Sequence, residues 1–167
     1  MQALLSFDKA PPFAAPLRFF LTAPLFLMLA GALLFAEGRD ALASRWGGET
    51  LALVHLMVAG FLLQVMVGAV LQFVPVVTGG NVRRPTRLAA LAHPALALGA
   101  LALVAGFLSS LPPVFGLAVA LLASGGLLFV WAVGLALWRA TAQGPTLVNL
   151  RLAVAALAGT FVLGCAL

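Results

Sequence analysis

Long apolar runs separated by short polar breaks make up most of this chain. A membrane-spanning helix needs about 20 predominantly apolar residues, and five runs reach that length. They cover about residues 17–36, 51–77, 88–108, 113–138 and 147–167. The breaks contain turn-forming residues, as in TGGNVRRPTR and SSLPP. The pattern predicts an all-α integral membrane bundle of about five transmembrane helices, in a single domain over residues 1–167.

The composition fits the same class of protein. Hydrophobic residues make up 64% of the chain and charged residues only 8%, whereas a soluble domain is roughly 45–50% apolar and about 25% charged. A chain of 167 residues cannot hide so much apolar surface inside itself, so we expect a lipid bilayer around it. The basic residues are scattered between apolar runs and form no patch for nucleic acid. The start, MQALLSFDKAPPF, lacks a basic segment, so we expect no cleaved signal peptide.

The basic residues predict the orientation in the membrane. With five spans, the two ends of the chain lie on opposite sides. The side of the N-terminus would hold Lys9, Arg18, Arg83, Arg84, Arg87, Arg139 and Arg151. The other side would hold Arg39 and Arg45, offset by Glu37, Asp40 and Glu49. Basic residues favour the cytoplasmic side, so we expect a multi-pass protein of a bacterial inner membrane with a cytoplasmic N-terminus.

The second span begins with a histidine in the stretch HLMVAGFLLQVMVGAVLQFVPVVTGG. His55 lies four residues into the apolar run, about 6 Å from its outer end at about 1.5 Å per residue. An ionisable residue within a span is a functional-site hypothesis, and imidazole is a common ligand of haem iron and of copper. The other interpretation is a neutral imidazole bonded to a neighbouring helix or to interfacial water.

The helical wheel assigns His55 and Gln64 to opposite faces of this span. At about 100° per residue, the residues that share the His55 face are Ala59, Leu62, Met66, Ala69 and Phe73. Small and polarizable residues of this kind suit a flat macrocycle, and they equally suit ordinary helix packing. Gln64 lies near Gly60 and Gly68, and we expect it to bond another helix or another subunit rather than a cofactor.

The other histidine, His93, directly precedes Pro94 near the start of the third span. A residue before proline disfavours helical geometry, which predicts a kink or a helix start at this point. Spans two and three run antiparallel, so the two histidines should lie toward opposite sides of the membrane. They cannot then bind one iron within one chain. His93 is left as a ligand of a second site, an interfacial hydrogen-bonding residue or a helix-start residue.

Arginines and missing carboxylates refine these hypotheses. Arg45, next to Trp46, lies on the same side as His55 and could pair with haem propionates or simply anchor the chain at the interface. Arg18 and Arg151 lie just inside spans, so we expect them to extend to the membrane surface or to bind an anionic lipid head group. No carboxylate lies within a span, which leaves no parts for an Asp/Glu proton relay.

Two segments together resemble a known group of proteins. They are PPFAAPLRFF before the first span and the second-span stretch quoted above. Both resemble the small membrane proteins related to haem–copper oxidase subunit I and to the NnrS family, over about residues 10–107. Those relatives have a helix that begins with His, continues through spaced glycines and ends in a Pro–Val/Thr–Gly turn. The resemblance implies bound haem b, with copper as a further possibility, and a role in electron transfer or in nitric oxide or oxygen binding. It implies His55 and His93 as ligands and Arg45 as a cofactor-binding residue.

The differences from an oxidase limit what the resemblance implies. The chain is far shorter than subunit I and lacks the additional histidines of the oxygen-reducing centre, so it is not a complete oxidase on its own. Oxidases surround their cofactors with three pseudo-equivalent arcs of four helices. A homo-oligomer such as a trimer could repeat that layout, with a respiratory-chain partner. The alternatives are a copper-binding protein, a cofactor-free assembly or accessory subunit of a respiratory complex, and, with least support, a transporter.

Overall fold

The computed structural model of the protein describes residues 7–166, with the side chains up to residue 164. Five long helices follow one another along this part of the chain. They are α1 (Ala14–Glu37), α2 (Gly48–Thr78), α3 (Pro85–Ser109), α4 (Pro112–Trp138) and α5 (Pro145–Ala166). Each is long and apolar enough to cross a membrane, and the described residues form no strand. The predicted all-α membrane bundle is confirmed, while Leu167, the predicted end of the fifth span, lies outside the described residues.

Helix α2 is not a uniform α-helix. It consists of an α-helical segment Gly48–His55, a π-helical segment Leu56–Leu62 and a second α-helical segment Leu63–Thr78. The helix ends where Gly79 adopts a left-handed φ of 66° and its N–H bonds the Pro75 carbonyl at 3.0 Å, a common way to terminate a helix. Its start at Gly48 precedes the apolar run, so polar residues form the first turn.

The π-helical segment keeps a regularly spaced set of α2 side chains in the interior. The set is Ala52, Leu56, Gly60 and Gln64, all of which are buried. In a straight α-helix, residues four apart drift by about 40° per step. The wider π turn, with i→i+5 bonds, offsets this drift, and Gln64 therefore remains on the buried face.

Two apolar clusters form the core of the bundle. We call the side of the membrane that holds the start of α1 the N side, and the opposite side the C side. Helices α1, α2 and α3 contact one another, α4 packs against α3, and α5 packs against α4. The N-side cluster draws residues from all five helices and includes Phe19, Leu71, Leu96, Phe129 and Val154. Among the side chains that the structure describes, the C-side cluster draws residues only from α1, α2 and α3 and includes Phe26, Leu56 and Ala100.

Glycines allow α1 and α2 to approach closely. A Cβ atom at Gly60 would lie 2.2–2.9 Å from three atoms of Phe26, and one at Gly68 would lie 3.1–3.2 Å from Phe19 and Phe20. Close approach through small residues is a general feature of membrane helix packing.

Polar contacts fix the helix ends. On the N side, Lys9 Nζ donates to the Gly79 carbonyl at 3.1 Å and Arg151 Nη2 donates to the Leu137 carbonyl at 3.0 Å. Both cations lie at the C-terminal ends of helices, where the helix dipole favours positive charge. On the C side, Thr50 Oγ1 donates to the Ala41 carbonyl at 2.5 Å. This bond holds a short 3₁₀ turn, Asp40–Leu42, against the start of α2, as expected for an ordered cap.

Candidate functional site

His55 closes the first α-helical segment of α2. Its Nδ1 lies 2.7 Å from the carbonyl oxygen of Leu51, one turn earlier. A carbonyl oxygen can only accept, so Nδ1 carries the proton, and a neutral imidazole then keeps its lone pair on Nε2. His55 lies seven residues after Gly48, about 10 Å along the helix. It remains four residues, about 6 Å, from the start of the apolar run at Leu51, because the additional helical residues, Gly48, Glu49 and Thr50, precede that run.

The surroundings of His55 are aromatic on one side and apolar on the other. Its ring stacks at a 30° tilt on Phe107 of α3, with 4.8 Å between ring centroids. The imidazole is half-buried, and its neighbours Val54 and Val58 are exposed on the outside of the bundle. The predicted site residue Arg45 is exposed in the loop before α2, on the same C side, and its guanidinium carbon lies 5.2 Å from the centroid of the neighbouring Trp46 ring.

The residues that the helical wheel assigns to the same face of α2 as His55 do not share its surroundings. Leu62, Met66 and Phe73, which it assigned to that face, are each about half exposed on the outside of the bundle. The His55 ring instead packs against α3. The π-helical segment lies between them, and a uniform turn of about 100° per residue does not hold across it. The predicted continuous stripe is therefore wrong.

His93 belongs to a hydrogen-bonded chain that links α3 to α1, and both His93 and Thr22 are partly buried. Its Nε2 lies 2.7 Å from the hydroxyl oxygen of Thr22 on α1, and that hydroxyl donates to the Arg18 carbonyl at 2.7 Å. Because the hydroxyl has one hydrogen, which is used on Arg18, the imidazole Nε2–H must be the donor to Thr22. The edge of Phe19 also packs against the imidazole, with a 5.1 Å centroid distance. While this bond lasts, Nε2 of His93 has no lone pair to offer a metal.

The helix limits correct one interpretation of His93. Helix α3 begins at Pro85 and continues through Pro94, so His93 is not a helix-start residue. His93 also lies fourteen residues before Phe107, the ring that His55 contacts. This corresponds to about 21 Å along α3. The geometry agrees with the prediction that the two imidazoles cannot share one iron within a chain.

Gln64 is the most deeply buried amide side chain of the bundle among the described residues. It is 0% exposed, and neither its Nε2 nor its Oε1 has a hydrogen-bond partner there. The expectation that it bonds another helix is therefore not met, and complete burial excludes another subunit. Gln72 on the same helix likewise has a buried Oε1 without a partner.

Thr22 is the residue that sequence reasoning missed. It is a hydroxyl within the apolar first run, and it pairs with His93 across 71 positions of sequence. The only signal in the sequence was a polar residue in each of two spans. We call Thr22, Gln64 and His93 the interior polar layer.

Clefts that could hold a ligand lie away from the histidines. One cleft of about 520 Å³ is lined by residues 140–144 with Leu147, Val148 and Arg151. Another of about 430 Å³ lies between residues 8–12, Pro75, Asn81, Val82 and Pro85. Neither is lined by His55, His93 or Arg45. Within the part of the chain that the structure describes, no three His, Cys, Asp or Glu side chains are grouped to hold a metal ion.

Comparison with protein-family models, with curated proteins and with solved structures found no match to this chain. The resemblance to the haem–copper oxidase and NnrS proteins therefore stays an expectation.

Proposed function

We propose that this chain is a b-type haem-binding protein of a bacterial inner membrane, in which His55 supplies an axial ligand through Nε2. The observation that carries the proposal is the 2.7 Å bond from His55 Nδ1 to the Leu51 carbonyl. Histidines that bind metals almost always donate their other ring N–H to a carbonyl, carboxylate or water, which fixes the tautomer and the ring orientation. His55 meets that requirement through its own helix.

The residues of one chain fit one side of a haem group. The His55 imidazole is half-buried beside the exposed apolar side chains of Val54 and Val58, which suit a porphyrin at the lipid-facing surface. Arg45 is exposed on the same side of the membrane, and its fork of donors suits a propionate. His93, predicted as a second ligand, is bonded to Thr22, so its ligand role would need that bond to break.

A single ligand per chain makes a homo-oligomer part of the proposal. A second copy could supply the other axial histidine, and a trimer would repeat the layout of the oxidase arcs. With both axial positions filled, the group would serve electron transfer with a respiratory-chain partner. With one position open, it would suit nitric oxide or oxygen. The surplus of basic residues on the N side supports a cytoplasmic N-terminus, which would place His55 and Arg45 near the periplasm.

The direct test is an absorption spectrum of the purified chain from haem-replete cells, with and without reductant. The proposal expects a Soret band and reduced α and β bands, together with a mass above that of one chain in detergent. A colourless preparation would contradict the proposal. Metal analysis of the same sample separates haem iron from copper, the alternative metal, which would need further donors from outside the described residues.

A cofactor-free accessory subunit of a respiratory complex is the second candidate. It is favoured by one observation: each imidazole already has a hydrogen-bond partner within the chain. This candidate expects co-purification with a larger complex that persists when both histidines are replaced by leucine. The haem proposal instead expects the double replacement to remove the cofactor.

A further inference from the structure

Gln64 is a buried polar side chain that has no hydrogen-bond partner among the described residues. Its amide is completely buried, and neither its nitrogen nor its oxygen is hydrogen-bonded within the described residues. Burying a polar group without a hydrogen bond is unfavourable, and lipid offers no water to compensate. Complete burial also keeps lipid and other chains away. The partner must therefore be small enough to lie inside the bundle.

The contacts of the two glycines that flank Gln64 show which part of α1 lies opposite the Gln64 amide. Gly60 faces Phe26 of α1, and Gly68 faces Phe19 and Phe20. Gln64 lies one turn from each glycine on the same buried face, so its level along α1 is between Phe19 and Phe26, where Ala23 is also buried. That is the level of Thr22.

The His93–Thr22 bond occupies the same level on the neighbouring helix. Phe19 lies against both Gly68 and the His93 ring, so α2 and α3 meet α1 at this height. Neither Gln64 nor Ala23 belongs to either apolar cluster. Thr22 and Gln64 therefore lie between the two clusters along α1 and α2, whereas His93 lies on α3 between Ala89 and Leu96 of the N-side cluster.

The chemistry of this layer selects the ligand. Gln64 offers two N–H donors and an acceptor, and the Thr22 oxygen keeps a second lone pair after accepting from His93. The nearest ionic group named in these contacts is the cation of Arg18, and the four Asp and Glu residues lie outside the apolar runs. A cation would find no counter-charge, and an anion would need more donors. Water both donates and accepts, and buried waters typically make about three bonds to such groups.

We propose that the interior polar layer binds water, which links the Gln64 amide to the Thr22–His93 pair. The π-helical segment Leu56–Leu62 is the backbone device that keeps Gln64 on this face. Such segments occur frequently at functional sites. This site is independent of His55 and of any haem.

Water-edited solid-state NMR of the wild-type protein in lipid tests the proposal directly. With ¹⁵N-labelled glutamine, the Gln64 side-chain signal should receive magnetisation from water, although the residue is buried. Loss of the peak in Gln64→Met assigns it, and the exposed Gln143 supplies the positive reference. Absence of transfer to Gln64 at mixing times that saturate Gln143 would overturn the proposal.

A mutant cycle in detergent adds an independent measurement. Gln64→Met removes the amide at nearly constant volume, and the proposal expects it to lower the thermal midpoint by about 2–4 °C. The same replacement in a Thr22→Val background should have a much smaller effect, because the linked partner is already lost. A raised midpoint, or equal effects in both backgrounds, would mean that the amide has no water-linked partner.

Discussion

The two histidines of this chain differ in how their bonding capacity is used. His93 lies where α1, α2 and α3 meet at the level of the polar layer, and its Nε2–H is donated to Thr22 of another helix. His55 bonds a carbonyl of its own helix and leaves Nε2 free, in the half of the bundle where only three helices contribute to the core. The comparison indicates that a histidine within a span connects two helices when its ring N–H donates to a residue of the neighbouring helix. When the ring N–H donates instead to a carbonyl of its own helix, the other ring nitrogen stays available for a ligand.

The arrangement around each residue is consistent with this division. Two neighbours on one other helix, Thr22 and Phe19 of α1, hold the ring of His93, which itself lies on α3. The ring of His55 stacks on Phe107 of α3, and among the described residues its hydrogen bond is to its own helix. Replacing His93 should therefore change stability, whereas replacing His55 should change binding.

The largest effect on stability should come from Gly60→Ala, in the half of the bundle that holds His55. The added Cβ would overlap Phe26 near its backbone end, so we expect a loss of about 1–3 kcal/mol in the free energy of unfolding. Gly31→Ala is the matched control, since nothing lies within 4 Å of its Cβ position. Thermal unfolding in detergent, followed by circular dichroism, measures both variants. Equal midpoints would show that α1 and α2 are not packed as described.

The next effect compares the two histidines themselves. His93→Leu removes a hydrogen bond between α1 and α3 and an edge contact with Phe19, and we expect a loss of about 1–2 kcal/mol. His55→Leu removes a bond within one turn and replaces the ring that stacks on Phe107 by another apolar-packing side chain, so we expect a loss below about 0.5 kcal/mol in the cofactor-free protein. The same unfolding measurement decides. A larger loss for His55→Leu would reverse the assigned roles.

The smallest effect on stability is expected when the Thr22 hydroxyl of the Thr22–His93 pair is removed. Thr22→Val leaves the His93 Nε2–H without its acceptor, and interhelical bonds in membranes contribute about 0.6 kcal/mol on average. Thr160→Val is the matched control, because the Thr160 hydroxyl donates only to the Ala156 carbonyl of its own helix. We expect a measurable loss for Thr22→Val and less for the control. Indistinguishable thermal midpoints for the two variants would show that the His93–Thr22 bond does not stabilise the protein.

The number and order of the helices could be predicted from the sequence, because lipid exposure leaves apolar runs that need no tertiary information. The start of α2 could not, since the polar residues Gly48, Glu49 and Thr50 belong to the helix although they precede the apolar run. The π-helical segment was also not predictable. It depends on how α2 packs against α1 and α3, and the apolar sequence Leu56–Leu62 contains no local signal for it.

The candidate site was predicted only in part. The side of the membrane that holds His55 and Arg45 followed from counting spans, which depends on the number of helices alone. The partner of His93 did not follow, because the pairing with Thr22 depends on the rotation of α1 and α3 about their axes. The lack of a hydrogen-bond partner for the buried Gln64 amide was likewise visible only once the packing was known.

The central claim is that His55, and not His93, holds a haem group. The measurement is the Soret absorbance per protein of purified wild type, His55→Leu and His93→Leu, expressed in haem-replete cells and compared at equal concentration. The account predicts a Soret band in wild type that is lost in His55→Leu and retained in folded His93→Leu. A band that survives in His55→Leu, or no band in wild type, would contradict it.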